Sequence, residues 1–266
     1  MQLIRRVLFG TAAALLLFSA KAQASGLNLG VSLTGVHFPG DNGGVNFFSA
    51  GLSARVSRGR AALTLSLPFD SISGGSVLLA PSGEIGPASA GSCPWHGPDG
   101  SCKGAPAQVG FGDMSATLEY NVIQNRQRMI IVTLSGSVTA ATGATGLTSG
   151  ETFLGLGLSG LYGITRQLIA YADLNQVWVG FKAPWSARTL YGEVGAVYWV
   201  TKVLGVTAGL KGFDFGKSFG GSVLEWTGGL LYQLFPGMML NLGGIGGLVG
   251  SGGPTAGGSV GFGFEL

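Results

Sequence analysis

Residues 109–122 read VGFGDMSATLEYNV, and from Asp113 onward polar and apolar residues alternate. Successive side chains of a β-strand point to opposite faces, so this alternation predicts a strand with one polar and one apolar face. Asp113 and Glu119 lie near the two ends of the polar face. A soluble sandwich would turn that face to bulk water. A membrane barrel would turn it to the interior and give the apolar face to lipid.

The same period-two alternation recurs along the chain, separated by turn residues. It predicts about twelve strands, each near or above the roughly 9–11 residues that a tilted strand needs to cross the hydrocarbon layer. The predicted strands are 27–37, 45–57, 60–69, 109–122, 127–140, 152–164, 167–180, 188–200, 203–215, 221–235, 238–249 and 256–265.

Connection lengths alternate between short and long. The short ones are Arg58-Gly59, 123–126, Thr165-Arg166, Thr201-Lys202 and Pro236-Gly237, and the longer ones are 38–44, 70–108, 141–151, 181–187, 216–220 and 250–255. Bacterial outer-membrane barrels have short periplasmic turns and longer external loops. The pattern therefore predicts an all-β, antiparallel transmembrane barrel with both termini in the periplasm.

The composition is consistent with this fold. The chain has 266 residues, 50 of them Gly, and only 10% are charged, while the mean hydropathy is +0.43. No apolar run after residue 24 approaches the roughly 18–20 residues of a transmembrane helix. No basic run of five or more residues occurs, which argues against nucleic-acid binding.

Residues 1–24 have the features of a cleaved secretory signal peptide. Arg5 and Arg6 precede an apolar stretch, and Ala22-Gln23-Ala24 forms an A-x-A cleavage site. The alternative is a retained membrane anchor, for which the apolar stretch is short. We expect an exported protein whose mature residues 25–266 form the barrel.

Charged residues on the polar faces define the candidate site. In a barrel they would line the lumen and set its selectivity, or they would pair with one another and rigidify a narrow barrel. The predicted lumen-lining residues are Arg55, Asp113, Glu119, Asp173, Glu193, Lys211 and Glu225.

Cys93 and Cys102 lie in SCPWHGPDGSC, inside the longest loop, 70–108. In an oxidising compartment, cysteines this close are expected to form a disulfide. The alternative is a metal site formed with His96, which would supply three ligands at best. We expect the disulfide and no metal.

The histidines give little support for catalysis. The chain has only His37 and His96, both at strand ends or in loops. His37 could serve as a base beside a loop Ser or Asp, but a surface histidine is the simpler interpretation. We expect no enzyme activity and no cofactor.

Two features of strand ends also fit a barrel. Trp178, Tyr198, Trp199, Trp226 and Tyr232 could supply aromatic girdles. Alternating apolar residues close the last strand, as in the C-terminal insertion signal of outer-membrane barrels, although that signal usually ends in Phe or Trp and this chain ends in Leu266. Barrel-assembly machinery and outer-membrane lipid are the expected partners.

Gly110-Phe111-Gly112-Asp113 and the strand after it resemble the G-x-G-D strand of the meta-pathway phenol-degradation family of outer-membrane proteins. The next segment has that family's layout of a strand, a Thr-Gly pair at Thr142-Gly143, a Gly-rich loop and a Gly-alternating strand. The family usually has Pro before that Thr-Gly pair, and here the residue is Ala141. The resemblance covers about residues 108–164. It implies a channel, for some members one associated with aromatic compounds, and it carries no catalytic residue onto this chain.

The function expected from the sequence is passage of small hydrophobic or aromatic molecules through the bacterial outer membrane. The alternative is a structural or surface-interaction barrel whose lumen is closed.

Overall fold

The computed structural model describes most of the region that the sequence assigns to strands. The predicted signal peptide, Cys93, His96, Cys102 and Leu266 lie outside the described residues. The described ranges are 26–38, 45–74, 77–79, 85–87, 108–125, 127–143, 152–179, 188–214, 222–249 and 256–265. In these ranges no helix is long and apolar enough to cross a membrane.

Fifteen β-strands occur in the described part of the chain. Their bounds are β1 Gly26–Phe38, β2 Val45–Arg58, β3 Ala61–Gly74, β4 Val77–Leu79, β5 Ile85–Pro87, β6 Gln108–Phe111, β7 Ser115–Asn125, β8 Ile130–Thr139, β9 Phe153–Gly163, β10 Leu168–Val179, β11 Arg188–Trp199, β12 Leu204–Asp214, β13 Ser222–Phe235, β14 Met238–Val249 and β15 Ala256–Glu265.

Thirteen of these strands form one closed antiparallel sheet. Its order is β2-β1-β15-β14-β13-β12-β11-β10-β9-β8-β7-β3-β6, and pairing of β2 with β3 closes the ring. Both β6 and β7 pair with β3, along different parts of its length. They therefore occupy one position in the wall, and the predicted twelve-strand antiparallel barrel is confirmed.

The two faces of the wall differ in chemistry, as β1 illustrates. Leu29, Val31 and Leu33 are 40–42% exposed, whereas Ser32 and Thr34 are 4% and 3% exposed. The apolar face is thus outside and the polar face inside. A barrel with an apolar exterior satisfies its backbone hydrogen bonds internally and presents hydrocarbon to lipid, which is the requirement for crossing a membrane with strands.

Two of the short turns use glycine for its backbone conformation. Gly59 has a φ of 61° and Gly237 a φ of 84°, in the left-handed region that only glycine enters without strain. Gly59 joins β2 to β3, and Gly237 follows Pro236 between β13 and β14. Proline followed by a positive-φ glycine is typical of a type II turn.

Two other short turns share a threonine motif. The Thr165 hydroxyl accepts hydrogen bonds from the backbone N–H groups of Gln167 (3.2 Å) and Leu168 (3.0 Å). Thr201 does the same for Val203 (3.2 Å) and Leu204 (3.0 Å). A local side-chain acceptor of this kind satisfies turn amides that the ladder cannot reach.

The stretch 109–122 is interrupted, which the alternation pattern did not predict. Between the paired segments, β3 runs from Ser66 to Phe69 while the facing chain runs from Phe111 to Ser115, one residue more. The extra residue is a bulge, and it turns both Gly112 and Asp113 towards the buried side. The Gly112 N–H donates to the Pro68 carbonyl at 2.9 Å across this break.

Several boundaries also differ from the expectation. The short connection predicted at 123–126 is wrong, because β7 continues to Asn125 and β8 begins at Ile130, with residues 123–125 still paired to β8. β3 continues to Gly74, beyond the predicted end at residue 69, and β4 and β5 form a small hairpin inside the segment 70–108. The predicted strand ends one residue after Pro68, and proline disfavours a central strand. Here the neighbouring strand β6 continues the sheet past it.

Candidate functional site: the barrel interior

A continuous row of polar side chains crosses the inner wall. It spans seven consecutive wall strands, β7 to β13, and each member is the register partner of the next. Directly opposite residues on one face have Cβ atoms about 4.5–5.5 Å apart, so neighbours in the row are within interaction range. The row consists of Asn121, Thr133, Ser159, Asp173, Glu193, Lys211 and Glu225.

Lys211 lies between two acidic residues in this row. Its register partners are Glu193 on β11 and Glu225 on β13. The three residues are 3%, 8% and 2% exposed, respectively. A buried charge is tolerated only when groups of opposite charge or hydrogen bonds compensate it, and this order places the cation between two carboxylates.

Glu193 is held by hydroxyl groups from both sides. Its Oε1 accepts a hydrogen bond from the Tyr171 hydroxyl at 2.8 Å and another from Thr227 Oγ1 at 2.9 Å. The neighbouring Asp173 accepts a hydrogen bond from Asn175 Nδ2 at 2.9 Å. Hydrogen bonds to an ionised acceptor are the stronger ones, so these contacts fix the carboxylates against the wall.

Two glycines determine how Tyr171 is placed. A Cβ at Gly195 would lie 2.5 Å from the Tyr171 hydroxyl oxygen, and one at Gly209 would lie 2.8 Å from it. The tyrosine side chain therefore lies flat across β11 and β12, in space that any larger residue would occupy.

Arg55 and Glu119 form a buried ion pair next to the β7 end of this row. Arg55 belongs to β2 and Glu119 to β7, with β3 between them. Their exposures are 7% and 5%.

Asp113 is 2% exposed and binds the segment that follows β8. The Gly143 backbone N–H donates to Asp113 Oδ1 at 2.8 Å. The Met114 N–H donates to Thr142 Oγ1 at 2.8 Å. The G-x-G-D and Thr-Gly motifs, about thirty residues apart in sequence, are thus in direct contact.

The structure places the predicted charged residues on the inner face in three groups. Asp173, Glu193, Lys211 and Glu225 share the row, Arg55 pairs with Glu119, and Asp113 lies apart at the bulge. All are buried except Asp173, which is half-buried.

Asp70 is an interior acid that the sequence analysis missed. It is 2% exposed and accepts a hydrogen bond from Ser49 Oγ at 2.5 Å. It was assigned to a loop because the predicted strand ended at residue 69. The sequence does contain an indication of its position. Asp70 is an even number of residues from Ala62 and Pro68, which are buried, so all three point to the same face of the strand.

Apolar side chains inside the barrel were missed as well. One interior cluster contains Phe153, Val177, Tyr191 and Val223. Another contains Val197, Leu231 and Met239, with Tyr171 and Trp199 against it. Except for Met239 on β14, these residues lie on strands that also carry the polar row, with one cluster on each side of the row along the strands. A rule that places only polar residues inside could therefore not assign them.

The aromatic residues near strand ends do not all face outward. Tyr198, Trp226 and Tyr232 are 48%, 44% and 42% exposed, as expected for a girdle. Trp199 instead packs against an interior cluster. It follows Tyr198 directly, and neighbouring residues of a strand point to opposite faces.

His37 is exposed at the end of β1, and its Nδ1 lies 2.9 Å from Asn46 Oδ1. In the part of the chain that the structure describes, no group of three or more His, Cys, Asp or Glu residues could hold a metal ion.

The architecture is that of an outer-membrane β-barrel, and three solved structures illustrate the similarity. An outer-membrane channel from Pseudomonas putida F1 matches with a TM-score of 0.68 at 13% identity, over 92% of this chain and 97% of that one. The NanC porin matches with a TM-score of 0.56 at 8% identity, over 89% and 100%. The translocator domain of the autotransporter NalP from Neisseria meningitidis matches with a TM-score of 0.52 at 13% identity, over 98% and 95%.

No family model matches the chain, and no curated protein matches it at a significant level.

Proposed function

We propose that the protein is a channel of the bacterial outer membrane that passes small hydrophobic or aromatic molecules. The observation that carries this proposal is the composition of the inner wall. The polar row lies between two apolar clusters that contain aromatic rings, one with Tyr191 and one with Trp199. Apolar and aromatic side chains with a few fixed polar groups are typical of sites for small organic molecules.

The charged interior residues are the proposed determinants of selectivity. Arg55, Asp113, Glu119, Asp173, Glu193, Lys211 and Glu225 would line the passage. Lumen charges tune the selectivity of outer-membrane barrels, whereas charges facing lipid destabilise them. Membership of the meta-pathway phenol-degradation family fits the contact between the G-x-G-D and Thr-Gly motifs, and it remains part of the proposal.

The cellular arrangement follows from the same proposal. The signal peptide 1–24 is removed, the barrel-assembly machinery inserts residues 25–266 among outer-membrane lipids, and both termini remain in the periplasm. The long loop 70–108 then lies outside the cell, where Cys93 and Cys102 form a disulfide.

A structural barrel with a closed lumen is the second candidate. The observation that favours it is the burial of the inner side chains, with Leu231 1% and Glu225 2% exposed. A tightly filled small barrel would behave as a rigid wall element and pass no solute.

Reconstitution of the purified protein separates the two candidates. A channel gives single-channel ion conductance in planar bilayers and swelling of liposomes in small solutes. The Glu225→Gln variant is expected to reduce cation preference while remaining inserted. Well-inserted protein that passes neither current nor solute would support the closed barrel instead.

A further inference from the structure

Two aromatic rings lie flat against the inner wall near the short turns. A Cβ at Gly205 would lie 3.2–3.4 Å from three ring atoms of Trp199, so the indole covers this glycine. The hydroxyl end of Tyr171 lies over Gly195 and Gly209, where a Cβ would come within 2.5 Å and 2.8 Å of the hydroxyl oxygen. The Trp199 ring, laid over a glycine of the neighbouring strand, leaves its other face towards the barrel interior.

Aliphatic side chains complete this apolar surface. Val197, Leu231 and Met239 form a buried cluster, and Tyr171 and Trp199 pack against it. The five residues come from β10, β11, β13 and β14, a little more than a third of the circumference. We call them the aromatic wall.

The part of the inner wall formed by β2, β3, β7 and β8 is different. Its inward residues are largely small and hydroxylated, and several are half-buried where most inward residues of the aromatic wall are fully buried. This hydroxyl wall contains Ser53, Thr64, Ser66, Thr117, Ser135 and Ser137. Small side chains leave room, and their hydroxyls both donate and accept hydrogen bonds.

The charges on the inner face add a further constraint. Among the inward residues that the structure describes, acidic groups outnumber basic ones, and Arg55 is already paired with Glu119. The acidic residues are Asp70, Asp113, Glu119, Asp173, Glu193 and Glu225, and the basic ones are Arg55 and Lys211. An interior with this excess repels an entering anion, because field lines are focused in a low-dielectric passage.

We propose that the aromatic wall is a binding subsite for a neutral single-ring aromatic molecule that carries a hydrogen-bonding substituent. The ring stacks on Trp199 and Tyr171, with Met239 as a polarisable neighbour. The substituent hydrogen-bonds to the polar groups beside the Tyr171 ring, where the Tyr171 hydroxyl and Thr227 Oγ1 meet Glu193, and the acidic excess excludes aromatic carboxylates. The inference rests on the proposed function for its physiological meaning, but binding itself can be measured without transport.

Quenching of tryptophan fluorescence by brominated probes tests this subsite. The purified full-length barrel in detergent is titrated with para-bromobenzyl alcohol and with para-bromobenzoate near neutral pH. We expect saturable quenching by the alcohol. The carboxylate should bind about tenfold more weakly or not at all, because of like-charge repulsion.

Two variants test whether the saturable quenching arises at Trp199. Trp199→Phe should abolish the saturable component, whereas Trp226→Phe, which removes an outward indole at 44% exposure, should retain it. Both variants are compared only after their gel mobility has been shown to shift on boiling, because that shift reports a folded barrel. Competition by unlabelled benzyl alcohol on the unmodified protein gives a second measurement that needs no variant.

Saturable quenching that persists in Trp199→Phe, or equal affinity for the alcohol and the carboxylate, would overturn the subsite. Linear, non-saturable quenching would overturn it as well, since it reports partition into detergent. Saturable binding in a barrel that passes no current or solute would leave the subsite standing and refute the channel.

Discussion

Arg55 and Glu119 are 64 residues apart in sequence and form an ion pair inside the barrel. The pair bridges β2 and β7 across the intervening strand β3. It therefore joins the N-terminal strands to the rest of the wall by side chains, next to the backbone pairing of β2 with β3 that closes the ring.

Removing one member of this pair should weaken the barrel. Arg55→Leu leaves Glu119 buried and uncompensated, which costs about 3–5 kcal/mol in known buried pairs. The double variant Arg55→Leu/Glu119→Leu should recover most of that loss. Urea titrations of the barrel in lipid vesicles measure the free energy of unfolding of the single and the double variant. Equal stability of the single variant and the original protein would contradict the pairing.

The contact of Asp113 with Gly143 should hold the segment after β8 against the bulge. A Cβ at Gly143 would lie 3.0 Å from Asp113 Oδ1 and 3.0 Å from the Gly112 carbonyl carbon. Gly143→Ala is therefore expected to displace the segment and speed its cleavage by protease, and Asp113→Ala should act similarly by removing the acceptor. Gly212→Ala is the matched control, because a Cβ there meets nothing within 4 Å.

Gly209 should control how far Tyr171 projects from the wall. In Gly209→Ala the new Cβ would lie 2.8 Å from both the Tyr171 hydroxyl and Thr227 Oγ1, and 3.0 Å from the Val194 carbonyl oxygen, so we expect the two side chains to be pushed away from the wall. We expect lower single-channel conductance. Adding Tyr171→Ala to Gly209→Ala should restore it. A conductance reduced equally in both variants would show that the glycine acts on the backbone and not through the ring.

The two faces of β13 should tolerate lysine differently. Leu230 faces outward at 43% exposure, and a basic residue on the lipid face near the midplane costs about 2–4 kcal/mol. Leu230→Lys should therefore assemble poorly. Thr227→Lys, on the inner face beside Glu193, should assemble well, because an acidic partner is present. The heat-modifiable shift on gels reports assembly. If Leu230→Lys assembled well and Thr227→Lys did not, the assignment of the outer and inner faces of β13 would be wrong.

Cys93 and Cys102 should be bridged in the exported protein. Thiol titration of the denatured protein should then find no free cysteine until a reductant is added. Replacing both by Ser should leave barrel assembly unchanged, since the long loop 70–108 is predicted to lie outside the membrane. Two reactive thiols without reductant would exclude the disulfide.

Much of the wall could be predicted from local sequence, with β1 as an example. The alternation of Leu29, Val31 and Leu33 with Ser32 and Thr34 defines an outer and an inner face, because successive side chains point in opposite directions. The same rule assigned Glu193, Lys211 and Glu225 to one side of their strands. It failed at Gly112, which the extra residue of the bulge turns to the buried side next to Asp113. At Trp199 the expectation of a girdle came from the aromatic residue type and was wrong, because the phase of β11 turns this ring inward.

What the sequence by itself determined is the period of the strands. This period gives about twelve amphipathic strands, an alternation of short and long connections, and the face of the charged residues within the predicted strands. Only the tertiary structure decided which residues meet. The pairing of β1 with β15, the partnership of Arg55 with Glu119, and the row from Asn121 to Glu225 all depend on register between strands. The physical reason is that the face is set by covalent geometry within one strand. The neighbours on that face are set by how the whole ring closes, and a shift of one residue between two strands would change every partner along them.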